Sequence, residues 1–256
     1  MFDLSGRVAL VTGGNGGIGL GMAEGLARAG ASVEIWGTNI QKNARALERL
    51  KALHGRVGAR VVDVASEAAV SAAMADAIAD WGRIDACFAN AGIANSWKSF
   101  LDIGGEDYRR LMAINVDGVL WTMREACRHM QVRAEAGDPG GSIVAVSSMV
   151  SDQGAARNED YAASKAALLG FVNGIAVEFA RYGVRANAIL PGWVETEMTA
   201  PLQQHERFNV NVIGRVPQRR WGKPEDFAGI AVYLASDASA FHNGDAIRID
   251  GGYSVF

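Results

Sequence analysis

Cysteine is nearly absent from this chain of 256 residues: Cys87 and Cys127 stand alone, 40 positions apart, in apolar surroundings. Such a pair supports neither a disulfide framework nor a zinc knuckle, and it fits a reducing, cytoplasmic compartment. Cationic excess is missing too. With 25 basic against 28 acidic side chains the formal charge is −3, so the chain lacks the cations to neutralise many phosphates, and nucleic acid is not an expected partner. No apolar run approaches the roughly 18 residues of a membrane span, and the stretch 8–11 is too brief for a signal-peptide core, so neither membrane nor export is expected. The four histidines, His54, His129, His205 and His242, are scattered without ligand spacing, and no metal site is expected. Proline is scarce at 5 residues, whereas glycine reaches 31 and crowds into positions 13, 14, 16, 17, 19 and 21. The remaining composition, 49% hydrophobic and 21% charged, excludes disorder, collagen and coiled coil and suffices for one large core spanning residues 1–256.

The glycine cluster sits between two kinds of periodicity. Residues 7–12 read as a short apolar strand that runs directly into Gly13-Gly14-Asn15-Gly16-Gly17-Ile18-Gly19, after which Leu20, Ala23, Leu26 and Ala27 recur at helical spacing up to Gly30. The same alternation continues. Strands are predicted at 32–36, 60–64, 86–90, 142–146, 185–189 and 245–249, and helices at 40–53, 67–80, 108–133, 160–181 and 225–235. Strands that are continuously apolar, alternating with helices, predict an α/β fold: a doubly wound, Rossmann-type parallel sheet of about seven strands with helices on both faces, in a single domain. The one long irregular stretch is 191–220, and a segment of that length is expected to cover the substrate.

In such a sheet ligands bind outside the carboxyl ends of the strands. Gly13 permits the tight turn, Gly17 lets the backbone approach a pyrophosphate and Gly19 allows close helix packing, while the helix N-terminus attracts negative charge. A dinucleotide fits there. A second constellation is Tyr161-Ala162-Ala163-Ser164-Lys165, in which Tyr and Lys share a helix face, with Ser148 at the end of a predicted strand. A phenol is a poor acid–base group at neutral pH, and a neighbouring ammonium is expected to lower its pKa, so Lys165 is expected to tune Tyr161. Ser148 would donate a hydrogen bond to a carbonyl oxygen and hold it for proton delivery.

Taken together, Thr12 to Gly19, Asp63-Val64, Asn90-Ala91-Gly92, Asn115, Ser148, Tyr161 with Lys165, Pro191-Gly192 with Thr196, and Asp250-Gly251-Gly252 resemble the short-chain dehydrogenase/reductase superfamily from about residue 4 to residue 253. The resemblance implies strand order 3-2-1-4-5-6-7, a nicotinamide cofactor, and a catalytic tetrad of Asn115, Ser148, Tyr161 and Lys165. It also implies that Asn115 holds a water in a proton relay from Lys165, and that Lys165 binds the nicotinamide ribose. Cofactor contacts are implied for Gly13, Asn15, Gly17, Ile18, Gly19, Thr38, Asn39, Asp63, Val64, Asn90, Ala91, Gly92, Tyr161, Lys165, Ile189, Pro191, Gly192 and Thr196. Within the superfamily the chain looks most like the 3-oxoacyl-thioester reductase and the sugar or polyol dehydrogenase branches, and a homotetramer is expected.

Departures from the pattern bear on the nucleotide. Neither the acidic residue of many NAD-dependent relatives nor the Arg of many NADP-dependent ones ends strand two; Gly37-Thr38-Asn39 stands there, with Lys42 on the following helix. Glu34 falls inside the strand and reads as an ordinary strand residue. NAD is expected over NADP, because a 2′-phosphate normally needs a cation to offset lost hydration. Arg215, Arg219, Arg220 and Lys223 form a basic cluster more consistent with a family element than with substrate contact. Trp97, Met149, Trp193 and Met198 are open between cleft wall and core. The expected activity is interconversion of a secondary alcohol and a ketone by hydride transfer; the alternative is a catalytically silent nucleotide-binding regulator or scaffold.

Overall fold

Continuously apolar strands need cover on both faces, and the computed structural model, which describes residues 1–53 and 56–256, supplies it. The elements run β1 (Val8–Thr12), α1 (Gly17–Arg28), β2 (Ser32–Gly37), α2 (Ile40–Lys51), β3 (Val57–Val61), α3 (Glu67–Trp81) and β4 (Ala86–Ala89). They continue with α4 (Gly105–Met112), α5 (Gly118–Glu135), β5 (Gly141–Val146), α6 (Val150–Gln153), α7 (Glu159–Glu178) and β6 (Val184–Pro191). The chain closes with α8 (Ala200–Gln203), α9 (Glu206–Arg215), α10 (Ala228–Ala235) and β7 (Ala246–Ile249). All seven strands are parallel in one sheet of order β3-β2-β1-β4-β5-β6-β7, the order the resemblance implied.

Two cores follow from the two faces. On one, Leu10, Cys87, Ile143 and Ala188 point toward Val70 and Met74 of α3, Met123 and Met130 of α5, and Leu168 and Val172 of α7. On the other, Ala9, Val11, Ile35, Phe88 and Val144 meet Met22 and Leu26 of α1, Leu50 of α2 and Leu234 of α10. Cys87 and Cys127 are free, and burial pushes both thiols up, Cys127 to about 12. His54 lies outside the described residues.

Four sequence expectations are corrected here. The third strand is Val57–Val61 rather than 60–64, because pairing with β2 fixes its register from Val33↔Val57 to Gly37↔Val61. As an edge strand it is only partly buried, which hides it from an apolar pattern. The helix expected over 108–133 is instead α4 and α5 with a π-helical turn, Ala113–Asp117, between them. The helix at 225–235 opens as a 3-10 turn, Pro224–Phe227. The segment 191–220 is not irregular: α9 turns Val212 toward Trp193, Phe208 and Trp221 in a small core of its own.

Glu34 is structural. Its buried carboxylate pairs with Arg60 at 2.6 Å and accepts from the Trp81 indole at 2.9 Å, and burial raises its pKa. Among the described residues no helix is long and apolar enough to cross a membrane, and no three His, Cys, Asp or Glu side chains gather as a metal site.

Candidate active site

The parallel strands all end at one edge of the sheet, and β1 and β4 are neighbours whose crossovers leave in opposite directions. A crevice forms at that point. The turn after β1 holds Gly13 at φ 64°, and a side chain there would meet the Asn90 carboxamide at 2.8 Å. At Gly19 a Cβ would lie 2.3 Å from the Gly13 carbonyl oxygen, so the close approach belongs to the turn itself, not only to helix against sheet. Thr12 ties this turn to the end of β4, its hydroxyl accepting from the Asn90 and Ala91 N–H groups at 3.0 Å each. The N-cap of α1, Gly16, offers no side-chain cap, and no acidic residue occupies the first turn. The N–H groups there are therefore available to an anion, which suits a dinucleotide's phosphates.

The other expected contacts lie at or just beyond the carboxyl ends of the neighbouring strands. Asn15 donates to Asn43 Oδ1 at 2.7 Å, linking the turn to α2. Asn39 caps α2 by accepting from the Lys42 N–H at 2.9 Å, beside Thr38. Asp63 and Val64 follow β3, where Asp63 accepts from the Ala65 N–H at 3.0 Å. Pro191 and Gly192 end β6, and Thr196 lies opposite Gly17, 3.2 Å from where a Cβ would stand. Lys42 forms an ion pair with Glu197, spanning from α2 to the segment after Thr196. Ile18 and Ile189 pack against or within the core on the α1 face.

Asn115, Ser148 and the pair Tyr161 and Lys165 come from three parts of the chain and meet at one place. Ser148 follows β5 and is 8% exposed; Tyr161 and Lys165 lie one turn apart on α7, the first half-buried and the second buried. The Ser148 side chain stands near enough to Tyr161 to act on its phenol. Burial pushes the Tyr161 phenol up to about 12, and the nearby Ser148 hydroxyl pulls it the other way. Lys165 is lowered by burial to about 8. Its Nζ donates to the Val146 carbonyl at 2.8 Å and sits 5.7 Å from the centre of the Tyr161 ring. The phenol in this state is thus set by desolvation and Ser148 rather than by the ammonium. Fully buried Asn115, in the π-helical turn, donates to the Ile93 carbonyl at 2.9 Å and the Ser164 hydroxyl at 3.1 Å, and accepts from the Ile93 N–H at 2.8 Å. A side chain at Gly92 would come within 3.3 Å of both Asn115 Oδ1 and Lys165 Nζ, so Gly92 keeps those two groups open to each other.

Several candidates fall elsewhere. Trp193 packs edge-on against Phe208 and Trp221, at 5.3 and 5.8 Å, and belongs to the small core of the 191–220 segment. Arg220 is paired with Asp226 at 2.6 Å and Arg215 stacks on Tyr253 at 4.3 Å, which accounts for both without a ligand. Met149 is buried and Met198 exposed. Sequence reasoning missed Ser147, whose hydroxyl donates to the Lys165 carbonyl at 2.8 Å, and Asp160, which holds Asn95 and Trp97.

A family described as enoyl-(acyl carrier protein) reductase matches residues 13–254. The chain belongs to the short-chain dehydrogenase/reductase superfamily. It is 35% identical over 252 residues to the 2-dehydro-3-deoxy-D-gluconate 5-dehydrogenase of Escherichia coli K12, covering 98% of this chain and 97% of the relative. To the gluconate 5-dehydrogenase of Gluconobacter oxydans 621H it is 36% identical, covering 100% and 97%. The crystal structure of a gluconate 5-dehydrogenase from Burkholderia cenocepacia J2315, in complex with NADP and tartrate, superposes with a TM-score of 0.93 at 36% identity, covering 100% and 98%. As a member of this superfamily the chain is an NAD(P)-dependent oxidoreductase of alcohols and ketones, and the silent regulator or scaffold finds no support.

Proposed function

We propose that this superfamily member oxidises a secondary hydroxyl of a sugar acid, or reduces the matching keto acid, with Tyr161 as the acid–base group. The observation that carries the chemistry is the placement of Tyr161 and Lys165, one turn apart on α7, beside Ser148 at the end of β5. Full-length similarity to sugar-acid dehydrogenases supports the substrate class. When bound, a nicotinamide nucleotide supplies the hydride chemistry. Its phosphates are assigned to the uncapped start of α1, and its remaining contacts to Asn90–Gly92, Asp63, Val64, Pro191, Gly192 and Thr196. Ser148 orients the substrate oxygen, Tyr161 moves a proton at that oxygen, and Lys165 binds the ribose. Asn115, whose amide nitrogen is spent on Ile93 and Ser164, keeps a free lone pair on Oδ1 to hold the water of a proton relay from Lys165. The 191–220 segment covers the substrate.

For the nucleotide, Lys42 changes the balance drawn from the strand end alone. Lys42 stands in the first turn of α2, three residues after Asn39, with its ammonium on Glu197, and the Asn39 amide nitrogen is left to donate once its oxygen caps the helix. We infer that NADP is used at least as well as NAD, with Lys42 leaving Glu197 for the 2′-phosphate. Initial rates with gluconate-type sugar acids, polyols and hydroxyacyl thioesters, each with both nucleotides, test the two statements. Sugar acids should give the highest kcat/KM, and Lys42→Ala should cost NADP about tenfold, about 1.4 kcal/mol, while NAD changes less than about twofold. A preference for thioesters overturns the substrate class; an unchanged NADP constant overturns the Lys42 assignment.

Pairing of copies into a homotetramer is part of the same proposal. Val132 of α5 and Val177 of α7 are 59% and 83% exposed on helices whose other faces are buried, and Gly170 and Gly174 leave open space along α7. Light scattering is expected to return a mass about four times 27.1 kDa; a monomeric mass at micromolar concentration overturns this. Both buried, free cysteines suit the cytoplasm.

A further inference from the structure

The residue before Tyr161 is an aspartate that the reaction does not use. Asp160 is 3% exposed and sits in the first turn of α7, where the helix dipole favours a carboxylate. Its Oδ1 accepts from the Tyr161 N–H at 2.8 Å. Its Oδ2 accepts from the Asn95 amide at 3.0 Å and from the Trp97 indole N–H at 3.1 Å. A main-chain bond from the Trp97 N–H to the Arg157 carbonyl, 3.2 Å, adds a further tie between the same two stretches. Asn95 and Trp97 lie on the segment that continues from Asn90–Gly92, and that segment is pinned a second time at Ile93. There Asn115 holds both main-chain groups of Ile93 and reaches Ser164, whose hydroxyl donates to the Tyr161 carbonyl at 2.7 Å.

The two anchors therefore flank Tyr161 on its own helix, Asp160 one residue before it and Ser164 three residues after. We propose that Asp160 is a positioning residue: it clamps residues 95–97 to the start of α7, so that this wall of the substrate cleft and the Tyr161 phenol keep a fixed relation. The inference rests on the reading of Tyr161 as the acid–base group. A buried carboxylate suits the task because hydrogen bonds to an ionised acceptor are stronger than neutral ones, and two oxygens can serve three donors in different directions. Removing Asp160 frees the 95–97 end of the segment while the Ile93 end stays anchored, so the nucleotide contacts at 90–92 remain.

Asp160→Asn keeps the shape but faces the Asn95 and Trp97 donors with an amide that supplies one acceptor oxygen; Trp97→Phe deletes one donor and keeps an aromatic ring. Asp160→Asn is expected to raise the substrate KM about tenfold with kcat within about threefold, and Trp97→Phe to raise it about threefold. Nucleotide Kd, from the fluorescence of the reduced form, should change less than about twofold in both. In the double variant the effects should not multiply, because both substitutions break the same bond. Multiplying effects, or a KM unchanged while only the melting temperature falls, overturn the clamp. If Asp160→Asn does not fold, Trp97→Phe and Asn95→Ala carry the same comparison, each with the KM rise and unchanged nucleotide Kd. If the chain turns over none of the substrates tried, the Tyr161 reading fails by itself; amide hydrogen exchange over 93–98 then decides the clamp, with faster exchange in Trp97→Phe expected and an unchanged rate overturning it.

Discussion

Replacing Tyr161 by Phe is expected to lower kcat by about three orders of magnitude while nucleotide Kd changes less than about twofold. The ring remains and only the hydroxyl is lost, so packing on α7 is kept and the proton donor is removed. The pH dependence follows from the directions of the shifts. Burial holds the phenol up at about 12, so Tyr161 keeps its proton through the neutral range, the form the proposed ketone reduction requires. Alcohol oxidation needs the phenolate, and its rate is expected to climb with pH in the parent chain. Lys165, lowered to about 8, carries its charge below that pH and loses it above. In Tyr161→Phe the residual oxidation should lose its alkaline climb. Steady-state kinetics in both directions from pH 6 to about 10 check this; parental turnover in the variant would remove Tyr161 from the chemistry.

The second large effect lies in the packing behind the glycine turn. A Cβ at Gly21 would fall 2.1 Å from the Pro224 carbonyl oxygen and 2.4 Å from its carbon, and one at Gly25 would fall 2.7 Å from Ala228 Cβ. The first obstacle is main chain, which cannot swing aside as a long side chain does. Gly21 and Gly25 thus form the groove by which α1 receives the Pro224–Phe227 turn and α10. Gly21→Val is expected to cost about 3 kcal/mol, lowering the melting temperature by about 6–12 °C. Gly229→Ala is the control: it lies exposed on α10 with nothing within 4 Å of a new Cβ, and should be neutral or stabilising by up to about 1 kcal/mol. Equal melting temperatures for the two variants would show that the groove relaxes freely.

What the sequence alone determined is local. The run of apolar residues into Gly13–Gly19, the helix behind it, and the Tyr161–Lys165 spacing are written in neighbouring positions, because strand period, turn chemistry and helix faces are set within a few residues. The alternation of strands and helices likewise fixed a parallel sheet covered on both sides. Tertiary structure decided whatever depends on partners far along the chain. The edge strand took its place at Val57–Val61 only through β2, since none of its residues is fully buried and they leave no pattern. The long helix gave way to a π-helical turn at Asn115 whose carboxamide joins Ile93 to Ser164, segments 22 and 49 residues away. Glycines that look alike in the sequence were assigned different work, Gly13 shaping a turn at φ 64° and Gly21 admitting a carbonyl from Pro224. Asp160 looked like one more acidic residue at a helix start until Asn95 and Trp97, 65 and 63 positions earlier, supplied its partners. A close contact or a buried hydrogen bond depends on where two distant stretches meet, and only the packed sheet and its helices bring those stretches together.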